Sequence, residues 1–555
     1  MSKYLYGAAV QGIQGFIFQT NELKDIVGAS ELVQKICTDL FYMENPKEKD
    51  DCLFGGKDIP KDDIIINAAG NIKCILDKEH CQRAVREFPK KVMEAAPGIT
   101  ISQAVVKFDE DEEKNNPEYF KKQVDELEEK LRAQRNKPAK SLTIGLMGIE
   151  RSRKTGLPAT EENKGEYSDE GTVKKKDKAD TAKLSCLSFG ITEDKAKGLN
   201  PHLAHNIEDM TWRNDWIAII HADGNGLGEI VRAIGNDKKK FSEFSKKLTE
   251  KTVAAANRTF KDIVEKFKTG EDEDKGWNSK KNPMRPVVLS GDDMTMICRG
   301  DIAMDYATKF LQYFEEETKD IAEDKDHNKY SLTACAGIAY IKSSYPFYYG
   351  YNLAEALCSR AKKDAKSKKM IDLYNPKSEE DKKNKKVPSC LMFHKVQSSF
   401  VEEYDEIVKK ELMTDNGAHR FDFGPYYLNK PEGNEEYNER WTIKELLNAT
   451  SKLSKSNDKD GNAVKSCLRQ WMTAMHNEEA QAEQLKKRAE YIISNTDLNK
   501  LFKKLTDTKC KEWEREIGKD ENEKPVKAQF YPVYDVLSLL TVNEQEIKEK
   551  KGGKA

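Results

Sequence analysis

MRPVVLSGDDMTMICR, residues 284–299, is typical of two short strands joined by a tight polar turn. The segments VVL and MTMIC carry the β-branched and apolar residues that strands favour, and SGDD between them places a glycine where the chain reverses. The turn therefore carries two adjacent carboxylates, Asp292 and Asp293, at the tip of a hairpin. Because like charges repel, either solvent or a divalent cation has to stabilise this pair. The sequence of the turn alone leaves both alternatives open.

A second acidic stretch, DWIAIIHADGNGLG, covers residues 215–228. Its apolar run from Trp216 to Ile220 predicts a central strand that is buried on both faces, followed by Asp223. If the hairpin pairs beside this strand, Asp223 and Asp292 come within reach of one metal ion. The combination of a strand that ends in Asp and, about 70 residues later, a strand-Gly-Asp-Asp-strand hairpin indicates a metal site more specifically than either motif alone.

Residues that could hold a phosphate lie close to these carboxylates. Gly224, Asn225 and Gly226 allow the backbone to approach a phosphate closely, and a helix is expected to begin soon after them. The helix predicted at 352–369 is rich in lysine, which in most cases indicates a solvated face. Lys362 is the exception that we select, because a cation near the metal site would neutralise the charge of a triphosphate.

The same order of elements occurs twice in the chain. Strand, helix, hairpin, helix and strand are predicted from Tyr4 to Phe108 and again from Trp216 to about Ile341. This repeat predicts an α+β protein with two ferredoxin-like (βαββαβ) domains. The first hairpin carries AAGN at residues 68–71 in place of SGDD, so it offers no carboxylate for a catalytic metal.

Composition bounds the remaining possibilities. The 555 residues are 34% charged and 37% hydrophobic, and the net charge of −2 argues against nucleic-acid binding over the whole surface. The eleven cysteines are scattered without a Cys-x-x-Cys pair, which suits a reducing compartment. Neither a signal peptide nor an apolar run of membrane-spanning length is evident, so we expect a cytoplasmic protein that does not contact a membrane.

Four domains follow from these patterns. We predict a first αβ domain at residues 1–108, a middle helical or linker domain at 109–214, a second αβ domain at 215–397 and a helical domain at 398–555. In the middle domain, the lysine-rich stretch at 156–182 is expected to be a mobile loop. His202 and His205 lack acidic or cysteine partners at metal-binding spacing, so we assign them a structural role.

The ordered motifs resemble the large polymerase/cyclase-like subunit of type III CRISPR effector complexes. GIQGFIF with LKDIVGASELV is similar to the family's degenerate first Palm domain, and HADGNGLG with LSGDDMTMI is similar to its second Palm domain and Gly-Gly-Asp-Asp hairpin. AGIAYIKSSYPFYYGYNLAEALCSRAKK resembles the end of that Palm, and GPYYLN with YPVYDVLSLL resembles the helical C-terminal domain. The chain begins its first Palm at about Tyr4, so we expect a form that lacks the family's HD nuclease domain.

The resemblance implies a metal-dependent nucleotidyltransferase that makes cyclic oligoadenylate-type messengers from ATP in antiviral defence. It implies two Mg²⁺ (or Mn²⁺) ions on Asp223, Asp292 and Asp293, and it implies guide or target RNA and other effector-complex subunits as partners. It adds to the nucleotide-binding set Ser290 and Gly291 of the hairpin, and Ser30 as a contact to adenine. The full predicted nucleotide-binding set is Gly224, Asn225, Gly226, Ser290, Gly291, Lys362 and Ser30.

Two other functions remain open at this stage. The chain could be an RNA-bound structural scaffold of a ribonucleoprotein effector complex, which would not need intact carboxylates. It could also be a simple mono- or dinucleotide cyclase related to GGDEF enzymes. Met294 argues against the latter, because it follows the two aspartates where GGDEF enzymes have Glu-Phe or a close variant.

Overall fold

Two sheets with the same order of their first four strands form the centre of the protein, as seen in a computed structural model. The structure describes residues 3–47, 51–68, 70–116, 118–137, 148–181, 183–191, 203–211, 216–234, 237–268, 282–324, 326–375, 385–398, 403–431, 440–455, 459–494, 498–507, 514–519 and 524–543. Within these ranges, no helix is both long and apolar enough to span a bilayer.

The first αβ domain has the predicted order of elements. Its strands and helices are β1 (Lys3–Gln11), α1 (Ile13–Ile17), α2 (Leu23–Thr38), β2 (Tyr42–Met43), β3 (Phe54–Gly55), a 3-10 turn (Lys61–Asp63), β4 (Ile64–Ala68), β5 (Asn71–Asp77), α3 (Lys78–Ala95) and β6 (Thr100–Phe108). The sheet order is β4-β5-β1-β6, and β1 is antiparallel to both of its neighbours. Ala68 pairs with Asn71 at the hairpin, while Ala69 lies outside the described residues.

The following segments pack onto this first domain. They are α4 (Glu110–Asn115), α5 (Tyr119–Arg135), β7 (Glu161–Asn163), β8 (Glu166–Ser168), α6 (Glu170–Lys178) and α7 (Lys183–Phe189). Leu127 and Leu131 of α5 join a buried cluster with Leu5 and Val106, so this helix covers one face of the sheet. Residues of α2 and α3 pack on the opposite face, with Ile26 and Phe88 fully buried.

The expectation of a mobile loop at 156–182 is wrong. This stretch contains the β7–β8 hairpin and the helix α6, whose first turn is capped by Asp169 accepting a hydrogen bond from the backbone amide of Thr172. Lys175 is fully buried and donates to the Phe16 carbonyl at 2.8 Å and to Gln19 Oε1 at 2.8 Å. A lysine-rich helix is stable here because its inward-facing lysine finds polar partners in the first domain.

The two histidines of the middle segment form no metal site that the structure describes. His205 Nδ1 lies 3.8 Å from the Asp180 carboxylate, and His202 lies outside the described residues. The structural role that we assigned to the pair therefore stays a prediction.

The second αβ domain repeats the topology of the first. It contains β9 (Trp216–Asn225), α8 (Leu227–Ile234), α9 (Lys238–Lys268), β10 (Met284–Ser290), β11 (Asp293–Arg299), α10 (Gly300–Glu317), β12 (Ala322–Glu323), β13 (Lys329–Tyr330), β14 (Thr333–Lys342), α11 (Phe347–Ala365), α12 (Lys368–Tyr374) and β15 (Cys390–Lys395). The sheet order is β10-β11-β9-β14, extended by β15, which is parallel to β14, and then by β17. The predicted α+β fold with two ferredoxin-like domains is confirmed.

The C-terminal part is helical, as predicted, but it also contains a sheet that was not predicted. Its elements are α13 (Tyr404–Glu411), β16 (His419–Arg420), β17 (Tyr426–Tyr427), α14 (Ile443–Lys455), α15 (Lys459–Asn477), α16 (Glu479–Ile492), α17 (Leu498–Thr506), β18 (Glu514–Lys519), β19 (Pro525–Phe530) and α18 (Val533–Asn543). The strands β16, β19 and β18 form a three-stranded sheet, and β17 joins the sheet of the second αβ domain. The strand β16 has only two residues and pairs with the distant β19, so it leaves little local periodicity in the sequence.

Candidate active site

Asp223 lies inside a strand at the centre of the second sheet. The strand was predicted to end at Asp223, but β9 continues to Asn225, because β14 supplies main-chain partners as far as the Thr333–Asn225 pair. On its other side β9 pairs with β11, where Ala222 is opposite Met294. Because the two strands are antiparallel, the residue after Ala222 faces the residue before Met294, so the register places Asp223 beside Asp293.

The hairpin between β10 and β11 has the predicted tight turn, and the strands extend into SGDD so that the loop itself has two residues. Ser290 pairs with Asp293, and Gly291 with Asp292 makes the turn. Gly291 has a positive φ of 65°, which a side chain would strain. The Thr252 hydroxyl of α9 donates to the Gly291 carbonyl at 2.7 Å, so the tip of the hairpin is fixed against that helix.

Gly224 allows the hairpin to lie directly against β9. A Cβ atom at this position would be 2.7 Å from Asp292 Cβ and 2.8 Å from Asp292 Oδ2, closer than real Cβ contacts come. The glycine is therefore needed for the close approach of two acidic segments, in addition to any approach of a phosphate.

Three carboxylates meet at this point. One oxygen from each of Asp223, Asp292 and Asp293 can be chosen such that all three lie within 4.8 Å of one another. Burial, followed by the charges of the other two carboxylates, raises the pKa of Asp293 to about 8. Burial and then the charge of Asp223 raise the pKa of Asp292 to about 6. The cluster is therefore poorly stabilised without a cation, and its hard oxygen donors fit Mg²⁺ or Mn²⁺.

Lys362 of α11 is the cation that contacts the cluster. Its Nζ lies 2.5 Å from Asp223 Oδ2 and donates to the Gly224 carbonyl at 2.7 Å. The hydrogen bond and charge of Asp223 raise the pKa of Lys362 against the opposing effect of burial, which is the largest single influence. The lysine therefore remains a cation at neutral pH.

These groups surround a cavity of about 420 Å³. Its lining consists of Gln14, His221, Asp223, Gly224, Gly226, Leu227, Gly228, Asp292, Asp293, Tyr351, Glu355, Lys362 and Lys366. Gly226 has a positive φ of 91°, and α8 begins at the next residue, so the first turn of this helix lines the cavity. The combination of carboxylates, two lysines and a helix N-terminus suits a metal ion together with phosphate groups.

Six of the ten predicted site residues line this cavity: Asp223, Gly224, Gly226, Asp292, Asp293 and Lys362. The other four predicted residues do not line the cavity: Asn225, Ser290, Gly291 and Ser30. Ser290 and Gly291 form the hairpin behind the carboxylates. The Asn225 side chain points into the core, where Nδ2 donates to Thr333 Oγ1 at 3.2 Å and to Cys335 Sγ at 3.3 Å.

The structure also corrects the predicted role of Ser30. Its side chain is 3% exposed, and its hydroxyl donates to the main-chain carbonyl of Val287 on β10. This serine thus connects α2 of the first domain to the second domain. It does not line the cavity, so the predicted contact to adenine has no structural support.

Several cavity residues were not predicted. Gln14 lies in the GIQGFIF stretch of the first domain, while Tyr351, Glu355 and Lys366 share α11 with Lys362. Residues 351, 355, 362 and 366 lie on one face of a helix, so their spacing relative to Lys362 was a usable signal. His221 is two residues before Asp223 on β9 and therefore points to the same side of the sheet.

The first domain forms one wall of the cavity. Gln14 Nε2 donates to Tyr351 Oη at 3.0 Å, and the rings of Phe18 and Tyr351 stack with centroids 4.8 Å apart. Asn21 Oδ1 accepts the amide of Phe347 at the start of α11. The two αβ domains therefore meet beside the carboxylates.

A comparison with protein-family models identifies the second αβ domain. Residues 216–371 match the family model described as Cas10/Cmr2, second palm domain, so the predicted resemblance is confirmed for this part of the chain. No curated protein shows significant sequence similarity.

Solved structures of low sequence identity also align along the chain. A chain of the Csm1–Csm4 cassette in complex with cA4 aligns with a TM-score of 0.49 and 13% identity, over 98% of this chain and 70% of the other. The apo Csm1–Csm4 cassette gives the same values. The cassette in complex with one ATP has a TM-score of 0.46 and 13% identity, over the same shares of the two chains.

Proposed function

We propose, from the match of residues 216–371 to the second palm domain of Cas10/Cmr2, that this chain is a metal-dependent nucleotidyltransferase. In this proposal it makes cyclic oligoadenylate-type messengers from ATP in antiviral defence of the type III CRISPR kind. The observation that carries the proposal is the group of three carboxylates, with Lys362 bound to Asp223, within that palm domain.

The carboxylates would hold the metal ions. Asp223, Asp292 and Asp293 supply the oxygen ligands. The raised pKa values of Asp292 and Asp293 indicate that ion binding displaces protons from these two hairpin carboxyls. Bound Mg²⁺ would lower the pKa of an attacking ribose hydroxyl and stabilise the negative charge that develops on the leaving pyrophosphate.

Other residues of this chain would bind and orient the nucleotide. Lys362 and Lys366 place positive charge on the side of the cavity next to Asp223, and the backbone at Gly224 and Gly226 allows a phosphate to approach. In the reaction, a ribose hydroxyl oxygen of one nucleotide bonds to the α-phosphorus of another. The α–β anhydride bond breaks and pyrophosphate leaves.

The first domain has a binding role in this proposal. Its AAGN hairpin carries no carboxylate, so it cannot provide a second metal site of the same kind. Its Gln14 nevertheless lines the cavity, which supports a platform for the acceptor nucleotide. Guide or target RNA and other effector subunits, which the family resemblance implies, are the expected partners.

Product analysis tests the proposal. The purified chain is incubated with each NTP and Mg²⁺ or Mn²⁺, with and without RNA, and the products are identified by mass spectrometry. We expect an oligoadenylate that is absent when Asp292→Ala and Asp293→Ala are combined. The matched control combines Asp111→Ala and Glu112→Ala, two adjacent exposed acids on α4.

Either of two results would overturn the proposal. The first is product formation that persists in the Asp292→Ala, Asp293→Ala variant. The second is the absence of both nucleotide binding and product with every NTP, with and without RNA. That second result would favour an RNA-bound scaffold.

A further inference from the structure

The side of the cavity away from Lys362 has no role in the proposed metal and phosphate site. It is lined by Gln14 of the first domain and by Tyr351 and Glu355 of α11. Glu355 precedes Lys362 by seven residues, which is two helical turns, so both side chains lie on one face of α11, separated by about 10.5 Å along the axis. The helix therefore presents a cation and a carboxylate to opposite ends of the same cavity.

The contacts at this end leave hydrogen-bond acceptors free. Gln14 Nε2 donates to Tyr351 Oη at 3.0 Å and approaches Glu355 Oε1 at 3.5 Å. Within the described part of the chain, Glu355 forms no ion pair with a lysine or arginine, and no hydrogen bond is donated to its second carboxylate oxygen or to the Gln14 side-chain carbonyl. His221 also lines this end of the cavity; burial lowers its pKa, and the charge of Glu355 opposes that lowering. Two acceptors from two domains thus converge on one end of the cavity.

A ligand group that fits here must donate hydrogen bonds and carry no negative charge. A phosphate would be repelled by Glu355 and by the nearby aspartates. The two adjacent hydroxyls of a ribose are neutral donors, and a carboxylate is a common acceptor for a ribose hydroxyl in nucleotide-binding proteins. With the phosphates near Lys362, the sugar of the same or the adjoining nucleotide is the part that reaches Glu355.

We propose that Glu355 and Gln14 form a ribose-recognition subsite that selects ribonucleotides over deoxyribonucleotides. This inference rests on the proposed function and specifies how its site recognises the sugar. Because one acceptor comes from each αβ domain, the subsite is complete only where the two domains meet. Glu355 is the specificity-determining residue, and Gln14 both completes the acceptor pair and positions the carboxylate.

Nucleotide binding tests the subsite directly. Dissociation constants of ATP, 2′-dATP, 3′-dATP and GTP are measured by calorimetry with the full-length chain, with Ca²⁺ replacing Mg²⁺ to slow turnover. The variants are Glu355→Ala, the conservative Glu355→Gln, and Gln14→Ala. Ser359→Ala is the matched control, because Ser359 is exposed one turn further along α11 and does not line the cavity.

The expected result is a change in discrimination. Wild type should bind ATP about tenfold more tightly than at least one deoxy analogue, which is the effect of one hydrogen bond to a charged group. Glu355→Ala should lose most of this preference for ATP, Glu355→Gln should retain part of it, and Ser359→Ala should leave it unchanged.

Several outcomes would overturn the subsite. If the variants lose the same factor of affinity for ATP and for both deoxy analogues, Glu355 and Gln14 only hold the domains together. A changed ratio of ATP to GTP with an unchanged ribose ratio would show a base contact instead. Product assays run in parallel separate the two proposals: wild-type product formation with unaltered ribose discrimination in Glu355→Ala contradicts the subsite alone, whereas absence of ATP binding by wild type contradicts both.

Discussion

The ammonium group of Lys362 lies 2.5 Å from Asp223 Oδ2 and also donates to the carbonyl of Gly224, the residue on which the acidic hairpin rests. The lysine thus contacts β9 at the carboxylate cluster without taking a metal-ligand position itself. Its charge stabilises the ionised forms of Asp292 and Asp293. Metal binding and phosphate binding are thus assigned to different side chains: the three aspartates offer ligands to a metal ion, and Lys362 offers its positive charge to a phosphate.

Replacement of Lys362 should therefore affect ATP binding and metal binding differently. In Lys362→Met, we expect ATP affinity to fall by about 10-fold to 100-fold, the effect of losing one strong hydrogen bond to a charged group. Mn²⁺ affinity, measured without nucleotide, should not fall, because the carboxylates lose a competing cation. Lys363→Met is the control, because Lys363 is exposed and does not line the cavity. Unchanged ATP affinity with reduced thermal stability would instead indicate a structural ion pair.

The raised carboxyl pKa values predict that, without metal, the stability of the folded protein decreases as pH rises. In the unfolded chain an aspartate releases its proton near pH 4, whereas Asp293 in the folded protein releases it at about pH 8. The folded state binds more protons between these values, so this contribution to stability is complete below pH 4 and is lost as pH rises to 8.

Asp293→Asn should remove the part of the pH dependence of stability that comes from Asp293. In EDTA, we expect its melting temperature to exceed that of wild type by about 2 °C or more at pH 8.5 and to differ less at pH 5. Mg²⁺ should raise the melting temperature of wild type at pH 8.5 and have less effect on the variant. Asp111→Asn, an exposed acid, serves as the control. A wild-type melting temperature in EDTA that rises from pH 5 to 8.5 while Asp293→Asn follows the same curve would contradict these pKa values.

Gly224→Ala should impair the site while leaving the fold intact. The added methyl group would lie 2.7 Å from Asp292 Cβ and displace the hairpin. A displacement of about 1 Å in a catalytic group can lower a rate on the order of 100-fold. We therefore expect product formation to fall by that factor with little change in the circular dichroism spectrum.

The matched control for this glycine is Gly148→Ala, which lies outside the cavity lining. A Cβ atom at Gly148 has no heavy atom within 4 Å outside its own neighbours. Wild-type rates in Gly224→Ala, or equal losses in both variants, would show that the close contact between β9 and the hairpin does not control activity.

The periodicity of the sequence predicts the two ferredoxin-like domains because their strands are long and apolar and their hairpins are local. The strand of Asp223 was predicted too short, since its glycines suggest a turn and only the pairing with β14 shows that β9 continues. The three carboxylates and Lys362 were predicted correctly as neighbours. Gln14 could not be placed from local patterns, because it reaches the cavity through contact between two domains.

Buried polar contacts between distant segments explain the other errors. Ser30 was predicted to contact a ligand, yet its hydroxyl donates to the main-chain carbonyl of Val287, 257 residues away. Lys175 belongs to the stretch predicted as a mobile loop, yet it is buried against Phe16, with its Nζ 4.1 Å from the ring centroid, and burial lowers its pKa to about 8. Composition assigns such residues to the surface, and only the tertiary fold supplies their partners.

The position of α11 depends on a glycine beneath it. Gly337 lies in β14, and a Cβ atom there would be 2.0 Å from the Ala354 carbonyl oxygen and 2.5 Å from the Cys358 amide nitrogen. Both contacts are backbone atoms of the helix that carries Glu355 and Lys362. A side chain at Gly337 must therefore move the helix away from the sheet.

Gly337→Ala should consequently lower both stability and activity. Overpacking of this kind costs about 1–3 kcal/mol, which denaturant titration of the purified chain can measure. ATP affinity should fall as well, because Lys362 moves with the helix. The control is Gly148→Ala, where a Cβ atom meets no heavy atom within 4 Å. Unfolding midpoints and ATP affinities equal to those of the control would show that α11 tolerates the extra methyl group and that this close packing does not position Lys362.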